Sequence, residues 1–120
     1  MELTGFSAVV TGGASGIGEA SARMLAERGM KVVVADLDRQ SEKGEALAKE
    51  IGGAFVPCDV TSTEQANAAI AAAVEMAPLR ALVNAAGIGW ASRTISRDGS
   101  PHDLDVYRKV IEINLIGTFN

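Results

Sequence analysis

The sequence predicts an α/β fold built on a doubly wound parallel sheet. Three observations carry this. Short apolar runs alternate with helix-period segments four times along the chain. The second run, Lys31 to Ala35, is continuous and β-branched rather than alternating, as expected of a strand buried on both faces. The first run ends in a glycine cluster that opens directly into a helix pattern, the strand–turn–helix order of a βα unit.

Taken in order, residues 6–11 read as the first strand. Residues 16–28 read as a helix with Ile17, Ala20, Met24 and Leu25 on one stripe, and Gly29 ends it. Residues 31–35 form the second strand, closed by Asp36. A helix over 40–51 carries Leu47, Ala48 and Ile51 on its apolar side and stops at Gly52 and Gly53. The third strand covers Ala54–Cys58 and ends at Asp59. Thr61, with Glu64 three residues on, forms a capping box that opens an alanine-rich helix running to about Ala77, where Pro78 stops it. The fourth strand is Ala81-Leu82-Val83, leading into Asn84-Ala85-Ala86-Gly87. A polar loop from Ser92 to Asp103 follows, long enough to suggest a functional part. A last helix starts near Asp103 and continues to the final residue, with Leu104, Tyr107, Val110, Ile111 and Asn114 on one face. Right-handed crossovers place the four strands in the order 3-2-1-4, a Rossmann-type arrangement whose ligand crevice lies between strands 1 and 4.

Composition narrows the function classes. The 120 residues allow one domain, and 48% hydrophobic with 22% charged residues describes a globular chain. A net charge of -4 gives no basis for nucleic acid or an anionic membrane as partner. The one cysteine, Cys58, has no partner for an internal disulfide, which fits a reducing compartment. No apolar run reaches the roughly 18 residues of a membrane span. The opening Met-Glu-Leu-Thr-Gly has neither the basic nor the apolar region of a signal peptide, so the expected location is the cytoplasm. No metal-ligand cluster is visible, and His102 stands alone in a polar loop.

The chemistry concentrates in residues 7–18, where glycines stand at 12, 13, 16 and 18. A helix N-terminus leaves backbone N–H groups unpaired and carries partial positive charge, and glycines let a diphosphate approach without Cβ clashes. Asp36 ends the second strand 18 residues after Gly18. That is the place of the acidic residue that accepts hydrogen bonds from the adenosine ribose. The competing reading for Asp36 is a helix N-cap. A carboxylate there disfavours a 2′-phosphate: two like charges at ~4 Å repel by about 4 kcal/mol at an effective dielectric of 20. The expected cofactor is therefore NAD over NADP by at least about tenfold, or about 1.4 kcal/mol.

The octet Thr11-Gly-Gly-Ala-Ser-Gly-Ile-Gly18, with the spacing TGxxxGxG, resembles the cofactor motif of the short-chain dehydrogenase/reductase family. Further segments match in the same order. Asp59-Val60 is similar to the family's Asp-Val pair, which contacts adenine; the competing reading is a turn or cap aspartate. Asn84-Ala85-Ala86-Gly87 is similar to the family's NAAG motif, and Asn114-Leu-Ile-Gly-Thr-Phe119 to its NLxGxF segment. The resemblance implies a cofactor-binding set of Gly12, Ser15, Gly16, Ile17, Gly18, Asp36, Leu37, Asp59, Val60, Asn84, Ala85, Ala86 and Gly87. It also implies a catalytic role for Asn114, holding a water in a proton relay; a structural hydrogen bond is the alternative. NADP binders of the family tend to carry a basic residue where Ser15 stands. Within the family, the 91–103 loop, residues 87–92 and the Thr118-Phe119-Asn120 ending resemble the 3-hydroxyacyl-CoA dehydrogenase branch.

The family's activity is hydride transfer between nicotinamide and a secondary alcohol or ketone, using a serine, a tyrosine and a lysine four residues after it. That segment is not in these 120 residues. Tyr107 is followed by Lys109 at +2, and i and i+2 do not share a helix face. Tyr107 is thus expected to pack, and Arg93 and Arg97 to be solvated. Two readings stand: the N-terminal half of an NAD-dependent enzyme with further strands beyond residue 120, or a non-catalytic NAD-binding or regulatory module. In the first, the last helix continues into a subunit interface, and the expected assembly is a homotetramer acting on a small-molecule substrate.

Overall fold

A computed structural model describes residues 2–120. Four parallel strands lie in the order β3-β2-β1-β4, with β1 at Ser7–Thr11, β2 at Lys31–Asp36, β3 at Ala54–Pro57 and β4 at Leu79–Asn84. The order and parallel sense agree with the sequence reading. Every residue of β1 is buried, because it has a strand on each side and helices on both faces.

Strand alternation divides the interior in two. Ala8 and Val10 of β1, with Val32 and Val34 of β2, pack with Ala22 of α1 (Gly16–Glu27) and with Leu47 and Ala48 of α2 (Ser41–Ile51). Val9, Val33 and Ala35 point the other way, onto Ala69 and Ala73 of α3 (Thr63–Met76). Small residues on α3 let that helix lie close to the sheet. A cross-link between the layers comes from Ser7, whose hydroxyl donates to the Ala77 carbonyl at 2.9 Å.

Chain reversals follow glycine chemistry where it is required. Gly29 (φ +87°) and Gly52 (φ +67°) end α1 and α2 in the left-handed region. Two expectations at α3 and β4 are corrected. The cap of α3 is Ser62, whose hydroxyl accepts from the Gln65 amide, and not Thr61; Thr61 is drawn to the carboxylate of Asp59 instead. The strand β4 starts at Leu79 rather than Ala81. The Pro78 carbonyl takes the Ser7 amide at 2.9 Å, so pairing with β1 begins as soon as α3 ends. Arg80 obscured that start; it is exposed on the strand, with its guanidinium 4.9 Å from the centre of the Phe6 ring.

The last helix also departs from expectation. It begins as α4 (Leu104–Ile111), passes through a π-helical turn over Glu112–Ile116, and ends as α5 (Gly117–Phe119). Its inward residues are Val106, Val110, Ile113 and Gly117; of the predicted face only Val110 is among them, and Leu104, Tyr107, Ile111 and Asn114 are exposed. Leu104, Tyr107, Leu115 and Phe119 are exposed. The loop before it folds on itself: Ile95 bridges Pro101, and the Ser96 amide donates to the Ser100 carbonyl at 2.8 Å, around a tip at Gly99 (φ +85°).

Gly44 on α2 lies against the ring of Phe55 of β3, and a Cβ there overlaps the ring edge. Gly44→Ala is expected to lower stability by about 1–3 kcal/mol, read as a lower urea midpoint with an unchanged slope.

Candidate functional site

The C-terminal ends of the parallel strands open into a cleft of about 890 Å³. One wall is the turn after β1. Gly12 (φ +62°) and Gly16 (φ +56°) both take backbone conformations that L side chains rarely adopt. A Cβ on Gly12 falls 2.7 Å from the Ala86 amide nitrogen, so only glycine lets the turn touch the extension of β4. A Cβ on Gly18 overlaps the Gly12 carbonyl, so only glycine lets α1 start this close to the strand. Gly16, by contrast, has nothing within 4 Å of where its Cβ belongs. Its bare side faces the cleft. Ser15 caps α1 without a side-chain cap bond, leaving its hydroxyl free beside the first unpaired helix amides.

The second wall comes from the ends of β2 and β3. The Asp36 carboxylate accepts the Ala14 amide on Oδ2 at 3.0 Å and the Leu37 amide on Oδ1 at 2.8 Å. Leu37, Arg39 and Gln40 continue this rim. Asp59 forms an Asx turn, accepting the Thr61 amide at 2.9 Å and the Thr61 hydroxyl at 2.7 Å. Those two bonds, amide first, hold its carboxyl below the usual carboxylate range, with a smaller contribution from the charge of Lys109. The turn reading of Asp59 is therefore met, and the residue lines the cleft as well. Between the two aspartates, burial pushes the Cys58 thiol up, and the charges of Asp59 and Asp36 add to this. Both effects disfavour the thiolate and make this thiol a poorer nucleophile than a free cysteine.

The third wall is the extension of β4. The Ala85 amide donates to the Thr11 carbonyl at 3.2 Å and the Ala86 amide to the Thr11 hydroxyl at 3.3 Å. Thr11 thereby fastens the first and fourth strand ends together. Ala85, Ala86 and Gly87 line the cleft as predicted, but Asn84 does not. Strand alternation turns Asn84, like Leu82, onto the α3 side, where both line a separate cavity of about 90 Å³ with Ile70 and Phe119.

Asn114 is also placed outside the cleft lining. Its Oδ1 accepts the Ile88 amide at 2.9 Å and its Nδ2 donates to the Ile88 carbonyl at 2.8 Å. The side-chain amide thus acts as a short piece of strand beside residues 87–89, and it makes the structural hydrogen bond that was the alternative to catalysis. A π-helical turn is the cost of presenting it there. On the last helix, sequence reasoning had Val110 on the inward face but missed its cleft neighbours Val106, Lys109 and Ile113, and it missed Ile88 and Trp90 beside them. The spacing 106, 110, 113 was the available signal; Leu104 and Tyr107 formed a competing apolar stripe.

These features fit a dinucleotide. The bare face of Gly16 and the free amides suit a diphosphate, and the carboxylate of Asp36 suits a ribose diol. Among the described residues, no three His, Cys, Asp or Glu side chains are grouped to hold a metal ion.

Comparison with known proteins agrees with this geometry. The family profile described as short chain dehydrogenase matches residues 7–120. The chain is 42% identical to the 3-hydroxyacyl-CoA dehydrogenase type-2 of Homo sapiens, over 98% of this chain and 46% of that protein. It is 44% identical to the protein of the same name from Drosophila melanogaster, over 93% of this chain and 45% of that one. The crystal structure of 3-hydroxyacyl-CoA dehydrogenase type-2 from Mycobacterium avium superposes with a TM-score of 0.90 at 47% identity, covering 96% of this chain and 45% of that one. The chain spans about half the length of the curated relatives it matches.

The bonds from Thr61 fix the sign of one pH effect. Asp59 is held below its ordinary pKa in the folded state, so the stability it contributes is full above that ordinary value and is lost as pH falls through the lowered one. Thr61→Val removes the hydroxyl and keeps the amide. The expected result is an upward shift of the Asp59 pKa toward the ordinary value, read by carboxyl-carbon NMR titration.

Proposed function

The chain belongs to the short-chain dehydrogenase family, and from that premise we propose that it forms the NAD-binding part of an oxidoreductase. The reaction is hydride transfer between nicotinamide and a secondary alcohol or ketone. The observation that supports this most strongly is the cleft, which brings the glycine turn, the N-terminus of α1 and the carboxylate of Asp36 onto one space. The dinucleotide, when bound, supplies the hydride acceptor. The chain's own residues do the rest of the binding. The first amides of α1 and the hydroxyl of Ser15 take the diphosphate, and Asp36 takes the ribose. Asp59 and Val60 line the adenine end, and the apolar side chains of Trp90, Val106 and Ile113 exclude water from the cleft wall. Asn114 acts as a positioning residue through the wall it holds at Ile88. The serine, tyrosine and lysine of the family's chemistry are not among these residues.

Asp36 supports NAD over NADP, because a 2′-phosphate meets its carboxylate. Arg39 on the same rim is exposed and forms no ion pair among the described residues, and it offsets only part of that repulsion. The names of the relatives support a 3-hydroxyacyl-CoA as substrate. We place the protein in the cytoplasm, on the reduced and buried Cys58. A homotetramer is supported by the exposed apolar residues of the last helix, Leu104, Tyr107, Leu115 and Phe119. No specific observation favours the non-catalytic module.

Three measurements check this reading. Full-length protein is expected to reduce acetoacetyl-CoA with NADH and to bind NAD at least about tenfold more tightly than NADP. Equal affinities refute the cofactor assignment, and no turnover refutes the substrate class. Sedimentation of the same protein is expected to give four times the monomer mass.

A further inference from the structure

We propose that Asp36 is a positioning residue for the glycine turn itself, in addition to reading the ribose. The inference rests on the cofactor reading above and deepens it. A carboxylate offers about four acceptor positions. Here Oδ2 receives the amide of Ala14, 22 residues earlier in the chain, and Oδ1 receives the amide of Leu37. The preceding amide, of Gly13, donates to the Ala35 carbonyl at 3.2 Å. Two successive amides of the turn are therefore docked on the end of β2, one on its backbone and one on the side chain of Asp36. Ala14 is 2% exposed, so its amide has no bulk water to turn to if the carboxylate is removed.

Ser15 follows immediately and caps α1. Holding Ala14 thus fixes the direction in which the free helix amides face the cleft. The carboxylate keeps acceptor capacity for hydroxyl donors while it does this. One residue thereby couples the diphosphate cradle to the ribose pocket. A substitution meant to admit a 2′-phosphate disturbs the cradle as well.

The two roles differ in which ligand reports them. 2′,3′-Dideoxyadenosine 5′-diphosphate has the diphosphate and adenine but no ribose hydroxyls for Asp36 to read. Coulomb's law also separates the explanations, because removing a negative charge near an anion by itself only tightens binding. The experiment is calorimetric titration of full-length protein, wild type and Asp36→Ala, with ADP and with the dideoxy analogue. Asp38→Ala is the charge-matched control, since Asp38 is exposed and lies outside the cleft lining.

The expected result is that Asp36→Ala weakens the dideoxy analogue about tenfold and ADP by more, while Asp38→Ala leaves both unchanged or tighter. Wild type and Asp36→Ala binding the analogue equally, or the variant binding it more tightly, overturns this inference and leaves the cofactor reading intact. A wild-type protein that binds neither nucleotide overturns both. A second variant covers the case in which Asp36→Ala does not fold. Asp36→Asn removes the charge and keeps an acceptor oxygen for the Ala14 amide, and it is expected to bind the dideoxy analogue as tightly as wild type or more tightly. An Asp36→Asn protein that loses the analogue about tenfold overturns the inference.

Discussion

Everything in this site depends on how closely α1 is seated on the end of β1. The helix begins against the Gly12 carbonyl, at a distance that no side chain on Gly18 permits. The strand it follows is buried along its whole length, so its end cannot drift. The free amides of a helix start are strong donors only if they are aimed, and here the aim is set by backbone packing rather than by any flexible group. Gly12 performs the same service toward β4, letting the turn lie against Ala86. Two glycines thus set the spacing between three elements, and a third, Gly16, leaves open the space that those elements surround.

The remaining walls are held by side-chain hydroxyls, amides and carboxylates bonded to distant backbone. Thr11 ties the first strand end to the fourth, and Asn114 ties the last helix to Ile88. Gly117 lets the same helix press on Val60, and Asn120 donates to the Val60 carbonyl at 2.9 Å while accepting from the Thr63 hydroxyl at 2.9 Å. The segment from Leu104 to Asn120 therefore braces both sides of the cleft. Its π-helical turn is intelligible on this basis. A regular α-helix places residues 114 and 117 only about 60° apart around the axis, and the wider turn spreads them further where two walls must be met at once.

The aspartates combine local bonding with a place on the cleft. Asp36 and Asp59 each satisfy local backbone donors and each still border the cleft. A turn aspartate can border the cleft as well, so the two readings of Asp59 are not exclusive. The bonds that keep its carboxyl ionised also fix its direction.

The sequence by itself determined the fold class, the strand order and most of the cleft. Unbroken apolar runs require burial on two faces, crossover handedness then permits few topologies, and glycines at fixed spacing have no cheaper use than a tight turn into a helix. Local chemistry marked the glycine turn between β1 and α1 and the aspartate that ends β2, whereas Asp59 was assigned to the site by resemblance. Tertiary structure decided the rest. Asn84 is turned from the cleft by strand alternation, Ser62 caps α3 because Asp59 claims Thr61, and β4 begins at Leu79 because the Pro78 carbonyl pairs with Ser7. The face of the last helix and the bonding of Asn114 were decided there too. Leu104 and Tyr107 offer a competing apolar stripe on this helix, and only its tertiary placement beside the cleft and Val60 selects Val106, Val110, Ile113 and Gly117.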